Sequence, residues 1–176
     1  MAGGPAGTAV DTLIENTGVS FRVLRMPGFM DNILWQVQPI KHQGTFSYPV
    51  SGDRKLPACA TKDIAAVAAG LLLDSTWTGQ ESMPLLGADD LSYNDMARIM
   101  SDVLGRPIRY QHVSGESYQA TLIGHGMSTP MAQWLTGLLA RVDQGLYNAE
   151  PRTPASTTPT TFRQWCEDVL KPLILA

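Results

Sequence analysis

The sequence predicts an α/β layer fold, and three observations carry that prediction. AVDTLIENTG reads as an amphipathic helix, VSFRVLRM directly after it reads as a buried strand, and a second amphipathic run follows the Pro27-Gly28 break. A helix, a buried strand and a helix in succession form a piece of a layered α/β arrangement. The chain has 176 residues, the span of a single domain. Hydrophobic residues make up 44% and charged residues 16%. Globular domains usually carry about 25% charged residues, so this composition excludes disorder and leaves a neutral surface or an internal face that something covers.

Met1 to Thr8, rich in glycine and alanine, are expected to be a flexible lead-in. From Ala9 onward Val10, Leu13 and Ile14 share one helical face, and Gly18 stops the helix. Phe21, Val23 and Leu24 predict a strand between Val19 and Met26, because aromatic and β-branched residues fit a pleated, buried surface. The following helix uses Phe29, Ile33, Leu34 and Val37 and is expected to fail before Pro39. HQGTFSYPVSGDRKLPACAT reads as short strands around a Gly52-Asp53 turn. A helix begins at Thr61-Lys62-Asp63, where the Asp63 carboxylate is expected to cap free N–H groups. SMPLLG reads as a short strand ending at Gly87.

DLSYNDMARIMSDVLGRP gives the clearest local signal. Ser92 and Asp95 have capping-box spacing, Met96, Ile99, Met100, Val103 and Leu104 form an apolar stripe, and Gly105 with Pro107 ends the helix. IRYQHVS is a further strand. Helices are predicted over Glu116–Ile123, over Pro130–Val142 with Thr129 as cap, and over Phe162–Leu170; NAEPRTPASTTPTT is the connector before the last of these. There is no internal repeat.

Thirteen Lys and Arg against sixteen Asp and Glu give a net charge of −3, with no basic block. Counterion-release binding to nucleic acid needs a concentrated positive face, so no nucleic-acid partner is expected. Cys59 and Cys166 stand far apart with no CxxC or Cys/His clustering, which excludes a disulfide framework and a zinc site and predicts reduced thiols. No apolar run reaches the ~20 residues of a membrane span, and the start lacks the basic and apolar regions of a signal peptide. A soluble, cytoplasmic protein without a membrane partner is the expectation.

Self-contained catalytic machinery is absent from the sequence. No GxGxxG opens a helix after a strand, and there is no P-loop, no GxSxG elbow and no metal-spaced histidine pair, so neither catalytic nor metal residues are assigned. Adjacent Asp89 and Asp90 read as solvated partners of a helix entrance, and Met96 and Met100 as core. Trp35, Trp77, Trp134 and Trp165 are scattered too widely in sequence for a nucleic-acid stacking platform. Among the histidines, His42 and His112 read as loop and strand residues. His125, between two glycines in GHGM, is the candidate for ligand contact, because glycine-flanked loops allow close approach. The segment LRMPGFMDN stands out: a strand that ends in Pro-Gly and opens a helix presents backbone groups at the carboxyl edge of the sheet, where α/β folds bind ligands. Phe29 and Met30 offer an apolar wall there and Asn32 a donor–acceptor pair; a tight turn with a stapling aromatic is the equal alternative.

Three runs, LIENTGVSFRVLRMPGFMDNILWQ, TKDIAAVAAGLLLD and LGADDLSYNDMARIMSDVLG, together with the closing PTTFRQWCEDVL, resemble the NmrA-like family of atypical short-chain dehydrogenase/reductase proteins. The resemblance runs from about Ala9 to the end of the chain. It implies the C-terminal portion of a Rossmann-like NAD(P)-binding fold plus a small α+β substrate lobe. On that view 1–176 is one partial domain, with sheet remainder over 9–87 and mainly lobe over 88–176, and the N-terminal nucleotide-binding half is missing. NAD(P) is the implied cofactor, beside Met26, Pro27, Gly28 and Phe29, though not held tightly by this chain alone. The resemblance implies that Asn32 lines the cavity between the nucleotide domain and the lobe, and that segments near Tyr48, Tyr110–His125 and Pro130–Tyr147 supply the substrate side; with Met30 and His125 from the residue reading, these are the expected contacts for a small-molecule ligand.

Members of the family often carry a lysine four residues before an acidic residue on the first helix. If Asp11 is the acidic position, the lysine position falls on Gly7, and no Tyr-x-x-x-Lys pair is present. The resemblance therefore implies a split or truncated part of an NAD(P)H-dependent oxidoreductase without autonomous catalysis. A non-enzymatic redox sensor and a stand-alone small-molecule-binding domain are the alternatives. A strand lacking its inner neighbour also predicts pairing with the missing half or with a second copy of the chain, or a rearrangement of the N-terminal segment that covers the edge.

Overall fold

Residues 5–176 are described by a computed structural model, with side chains from residue 9. Helix α1 spans Pro5–Glu15, so it opens before the expected Ala9; residues 1–4 of the expected lead-in lie outside the described residues. Strand β1 (Phe21–Arg25) follows, trimmed relative to Val19–Met26, and pairs in parallel with β4 (Gln80–Pro84), Phe21 opposite Gln80 and Arg25 opposite Pro84. No other described strand pairs with β1, so its second edge is unpaired among the described residues. The sequence placed β4 over SMPLLG. In the structure it starts earlier, at Gln80 opposite Phe21, and it ends at Pro84: Leu85 still bonds Arg25 O (2.8 Å), but Leu86 donates its N–H to Ser156 O of the connector (2.8 Å) and leaves the ladder.

After Pro27-Gly28 the chain forms a 3-10 helix, Met30–Gln36, that passes into α2 (Val37–Gln43). The expected stop before Pro39 does not occur. Pro39 lies in the first turn of α2, where a missing N–H leaves no intrahelical bond unmade. Strands β2 (Thr45–Tyr48) and β3 (Leu56–Pro57) flank the Gly52-Asp53 turn but do not pair with each other. β2 runs parallel to β6 (Arg109–His112), and β3 runs antiparallel to β5 (Asp90–Leu91).

Helix α3 (Thr61–Leu73) begins where expected, but its capping differs. Asp63 is buried, and its carboxylate accepts the backbone N–H (2.9 Å) and hydroxyl (2.7 Å) of Thr160 instead of capping N–H groups of its own helix. A buried carboxylate must find donors, and the connector supplies them. Helix α4 (Tyr93–Leu104) has the predicted capping box: Ser92 Oγ accepts the Asp95 N–H at 3.1 Å and the Asp95 carboxylate accepts the Ser92 N–H at 2.9 Å. Helices α5 (Gly115–Gly124) and α6 (Thr129–Asp143) form a pair, with Ser128 rather than Thr129 in the cap position of α6. The last helical run joins α7 (Phe162–Trp165), a π-helical turn Cys166–Leu170 and α8 (Lys171–Leu175), so it reaches beyond the predicted Leu170.

The main core gathers Ile40, Phe46, Met100, Phe162, Trp165 and Leu170 from α2, β2, α4 and the closing helices. Cys59 and Cys166 are buried and unbridged. Burial pushes the Cys59 thiol up to about 11 and the Cys166 thiol up to about 12. Apolar residues of α1 and α3 stand outside this core. Val10, Leu13 and Ile14 share a face of α1 as predicted, yet all three are exposed, and Leu72 and Leu73 at the end of α3 are 86% and 88% exposed. No described helix is long and apolar enough to cross a membrane.

Candidate functional site

The turn after β1 is stitched to the segment before α3. The Cys59 N–H donates to Gly28 O and the Met30 N–H donates to Cys59 O, both at 2.9 Å, while the Cys59 thiol donates to Leu85 O at 2.8 Å. Asp31, one residue further on, accepts the N–H of Thr61, the first residue of α3. Gly87 closes the same corner: its φ is +74°, and a Cβ there would lie 1.8 Å from Ala58 O. Only glycine meets both conditions. The Met26–Asn32 segment is therefore held on both sides at the carboxyl end of β1.

Two adjoining cavities open from this end. The first, about 380 Å³, has Pro27, Gly28, Phe29, Met30 and Asn32 on one wall. Tyr118 and Leu122 of α5, Trp134, Leu138 and Val142 of α6, and Tyr147 also line it. Trp35, Tyr48, Leu56, Tyr93 and Met96 are among the remaining lining residues, and none of the lining residues is Asp, Glu, Lys, Arg or His. The polar side-chain groups present are the Asn32 amide, the tyrosine phenols and the indole N–H groups of Trp35 and Trp134. Tyr147 also packs close to Gly28, its ring 3.5 Å from where a Cβ would stand.

The tyrosines are ordered by stacking. Tyr93 lies between Tyr48 and Tyr110, with ring centroids 4.9 Å away on each side and interplanar angles of 14° and 17°. The Tyr48 hydroxyl donates to Asn32 O at 3.1 Å, and the Tyr110 hydroxyl donates to Tyr48 O at 2.7 Å and also contacts Val50 O. Burial holds the Tyr48 and Tyr93 phenols well above the ordinary range and pushes Tyr110 up to about 12. All three are therefore neutral phenols at physiological pH.

The second cavity, about 520 Å³, shares Pro27, Trp134, Leu138 and Tyr147 with the first. It adds Arg25 and Met26 from the end of β1, Leu86 from beyond β4, and Gln133, Arg141 and Glu150. Arg25 is already engaged: it donates to Ser82 Oγ, and its guanidinium is 3.9 Å from the Asp11 carboxylate. This cleft is the more polar of the two and lies at the carboxyl ends of the paired strands, the edge at which α/β sheets bind ligands.

The residues singled out from sequence are thus distributed over the two cavities. Met26 lines the second, Pro27 both, and Gly28, Phe29, Met30 and Asn32 the first. Met30 is also a core residue, whereas Phe29 is exposed at the mouth. His125 caps the end of α5, is exposed, and lines neither cavity. Asp90 pairs with Arg152, whose other donors hold Leu86 O and Gly87 O, so it serves the fold. Reading by sequence passed over Tyr93 and singled out none of Tyr118, Trp134 and Tyr147, although the family resemblance placed those three within segments of the substrate lobe. Trp35 and Trp134, scattered along the chain, both line the first cavity. No group of three or more His, Cys, Asp or Glu able to hold a metal occurs among the described residues.

The profile of the NmrA-like family matches residues 8–156. The chain is 28% identical over 140 residues to prestalk A differentiation protein A of Dictyostelium discoideum, covering 77% of this chain and 45% of that protein. It is 31% identical over 129 residues to NAD(P)H azoreductase of Xenophilus azovorans, covering 72% of this chain and 44% of that one. Its fold matches the NADPH-dependent quinone oxidoreductase of Escherichia coli with a TM-score of 0.74 at 20% identity, over 90% of this chain and 58% of that one. At that identity the likeness shows the fold, an α/β Rossmann-type architecture. The chain spans about half the length of the curated relatives it matches.

Proposed function

The chain belongs to the NmrA-like family, and on that premise we propose that it forms the substrate-binding, C-terminal portion of an NAD(P)H-dependent reductase acting on an uncharged aromatic molecule. The observation that carries this reading is the first cavity: its walls are apolar and aromatic, it contains no charged side chain, and it opens at the carboxyl end of β1. A charged ligand would lose its hydration there without gaining a counter-ion, while a neutral aromatic gains contact with Phe29, Trp35 and Trp134. The names of two relatives, an NAD(P)H azoreductase and a quinone oxidoreductase, point to the same chemistry.

These 176 residues do not fit a whole dinucleotide. No GxGxxG run opens a helix after a strand, and at the N-termini of α3, α4 and α5 the Asp31 carboxylate and the Ser92 and Ser114 hydroxyls each already accept one N–H that a phosphate would use. A carboxylate at the start of α3 would repel one. In this reading the second cavity borders the nicotinamide end beside Met26 to Phe29, and the phosphate grip belongs to a nucleotide-binding half whose sheet continues along the unpaired edge of β1. Calorimetric titration of the 176-residue chain tests the division. The expected result is measurable binding of 1,4-naphthoquinone and none of NADPH below millimolar concentration. Micromolar NADPH binding by this chain would overturn it.

A further inference from the structure

Five tyrosines converge beside the first cavity, and their hydroxyl groups are not equivalent. Tyr48 and Tyr110 direct theirs to backbone carbonyls. Tyr93, Tyr118 and Tyr147 make no hydrogen bond within the described residues, and all three line the cavity. The buried side-chain polar atoms sealed off without a partner are Thr158 Oγ1 and Trp165 Nε1, so these three phenol oxygens are not sealed and face open volume. Tyr93 differs from the other two in being fixed on both ring faces, by Tyr48 and Tyr110, and in starting α4 directly after a complete capping box. It is a donor aimed by its surroundings before any ligand arrives, which lowers the ordering cost of binding.

We propose that Tyr93 is the specificity-determining donor of this cavity, giving its hydroxyl hydrogen to a carbonyl oxygen or an aromatic nitrogen of a neutral planar ligand. The inference rests on the reading of the cavity as an aromatic site. Burial keeps the phenol protonated, hence a donor, across the whole neutral range. In a cavity without charged side chains an unmade hydrogen bond is costly, so a ligand with an acceptor at that point is favoured over its hydrocarbon counterpart by about tenfold or more.

The test compares 9-fluorenone with fluorene, which have nearly the same shape but differ in a carbonyl, by calorimetry on the 176-residue chain. The wild type is expected to bind fluorenone at least tenfold more tightly. Tyr93→Phe, which keeps the stacked ring, is expected to bring the ratio to near one while leaving fluorene binding within about twofold. Retention of the wild-type ratio in Tyr93→Phe, or a ratio of one in the wild type, overturns the assignment to Tyr93 and leaves the aromatic-site reading standing. Failure of both compounds to bind overturns both. Should the variant not fold, the infrared carbonyl band of fluorenone bound to wild type decides: a shift to lower frequency than in a hydrocarbon solvent is expected, and its absence rules out a donor at this position.

Discussion

The Asp31 carboxylate accepts the backbone N–H of Thr61 at 3.1 Å, so a residue of the cavity-lining turn after β1 caps a helix thirty positions away in the chain. The sequence motif and the start of α3 are one mechanical unit. Asp31→Ala is expected to cost about 1 kcal/mol, the usual value for a lost cap. A lowered urea midpoint with an unchanged slope measures it. No change in the midpoint would mean that water replaces the carboxylate without loss.

Gly87 and Gly18 have nearly the same positive φ, +74° and +72°, but different surroundings. A Cβ at Gly18 would meet no heavy atom within 4 Å, whereas one at Gly87 would face Ala58 O at 1.8 Å. Gly18→Ala is expected to cost about 1 kcal/mol from the left-handed backbone alone. Gly87→Ala adds a backbone collision and is expected to lose roughly 3 kcal/mol or more. Thermal midpoints of the two variants measured side by side check the difference.

Lys55, together with the N–H and hydroxyl of Ser92, holds the Asp95 carboxyl well below the usual carboxylate range. A group whose acidity is strengthened by folding adds stability above its unfolded pKa, about 3.9, and that stability is lost as pH falls through this value toward the folded one. The wild type is therefore expected to lose more stability between pH 6 and pH 3 than Asp95→Asn does. Equal acid sensitivity in urea titrations at the two pH values would contradict it.

Leu72 and Leu73 stand almost fully in solvent at the end of α3, and β1 has an edge that no other described strand covers. Exposed apolar side chains and an open strand edge each favour association. The 176-residue chain is expected to sediment increasingly as dimers or larger species as concentration rises, and the double substitution Leu72→Glu with Leu73→Glu is expected to reduce this. A monomer at every concentration that binds no hydrophobic dye would exclude such a surface.

Much of the fold was legible in local chemistry. The capping box at Ser92 and Asp95, the positive-φ stop at Gly105 and the amphipathic stripe of α4 are short-range signals that need no tertiary information. Pro39 misled because its position within a helix decides its effect, and that position depends on where the preceding 3-10 turn ends. Asp63 misled because its partner, Thr160, arrives from the far end of the chain. The same reason hid half of the site. Pro27 to Asn32 lie in one recognisable run, whereas Tyr48, Tyr93, Tyr118 and Tyr147 come from separate elements and meet through packing alone.

The Tyr48–Tyr93–Tyr110 stack has a practical corollary for watching this molecule fold. Rings locked face to face at 4.9 Å give an asymmetric environment to chromophores that are optically silent in a disordered chain. The near-ultraviolet circular dichroism of the phenols thus supplies a built-in gauge of the part of the fold around the first cavity. The flank around β1 carries its own chromophore, Trp77, over which the Arg22 guanidinium lies at 4.6 Å. Because Trp35 and Trp134 line the first cavity and Trp165 lies in the core, a variant that keeps Trp77 as its one tryptophan gives the β1 end a signal of its own.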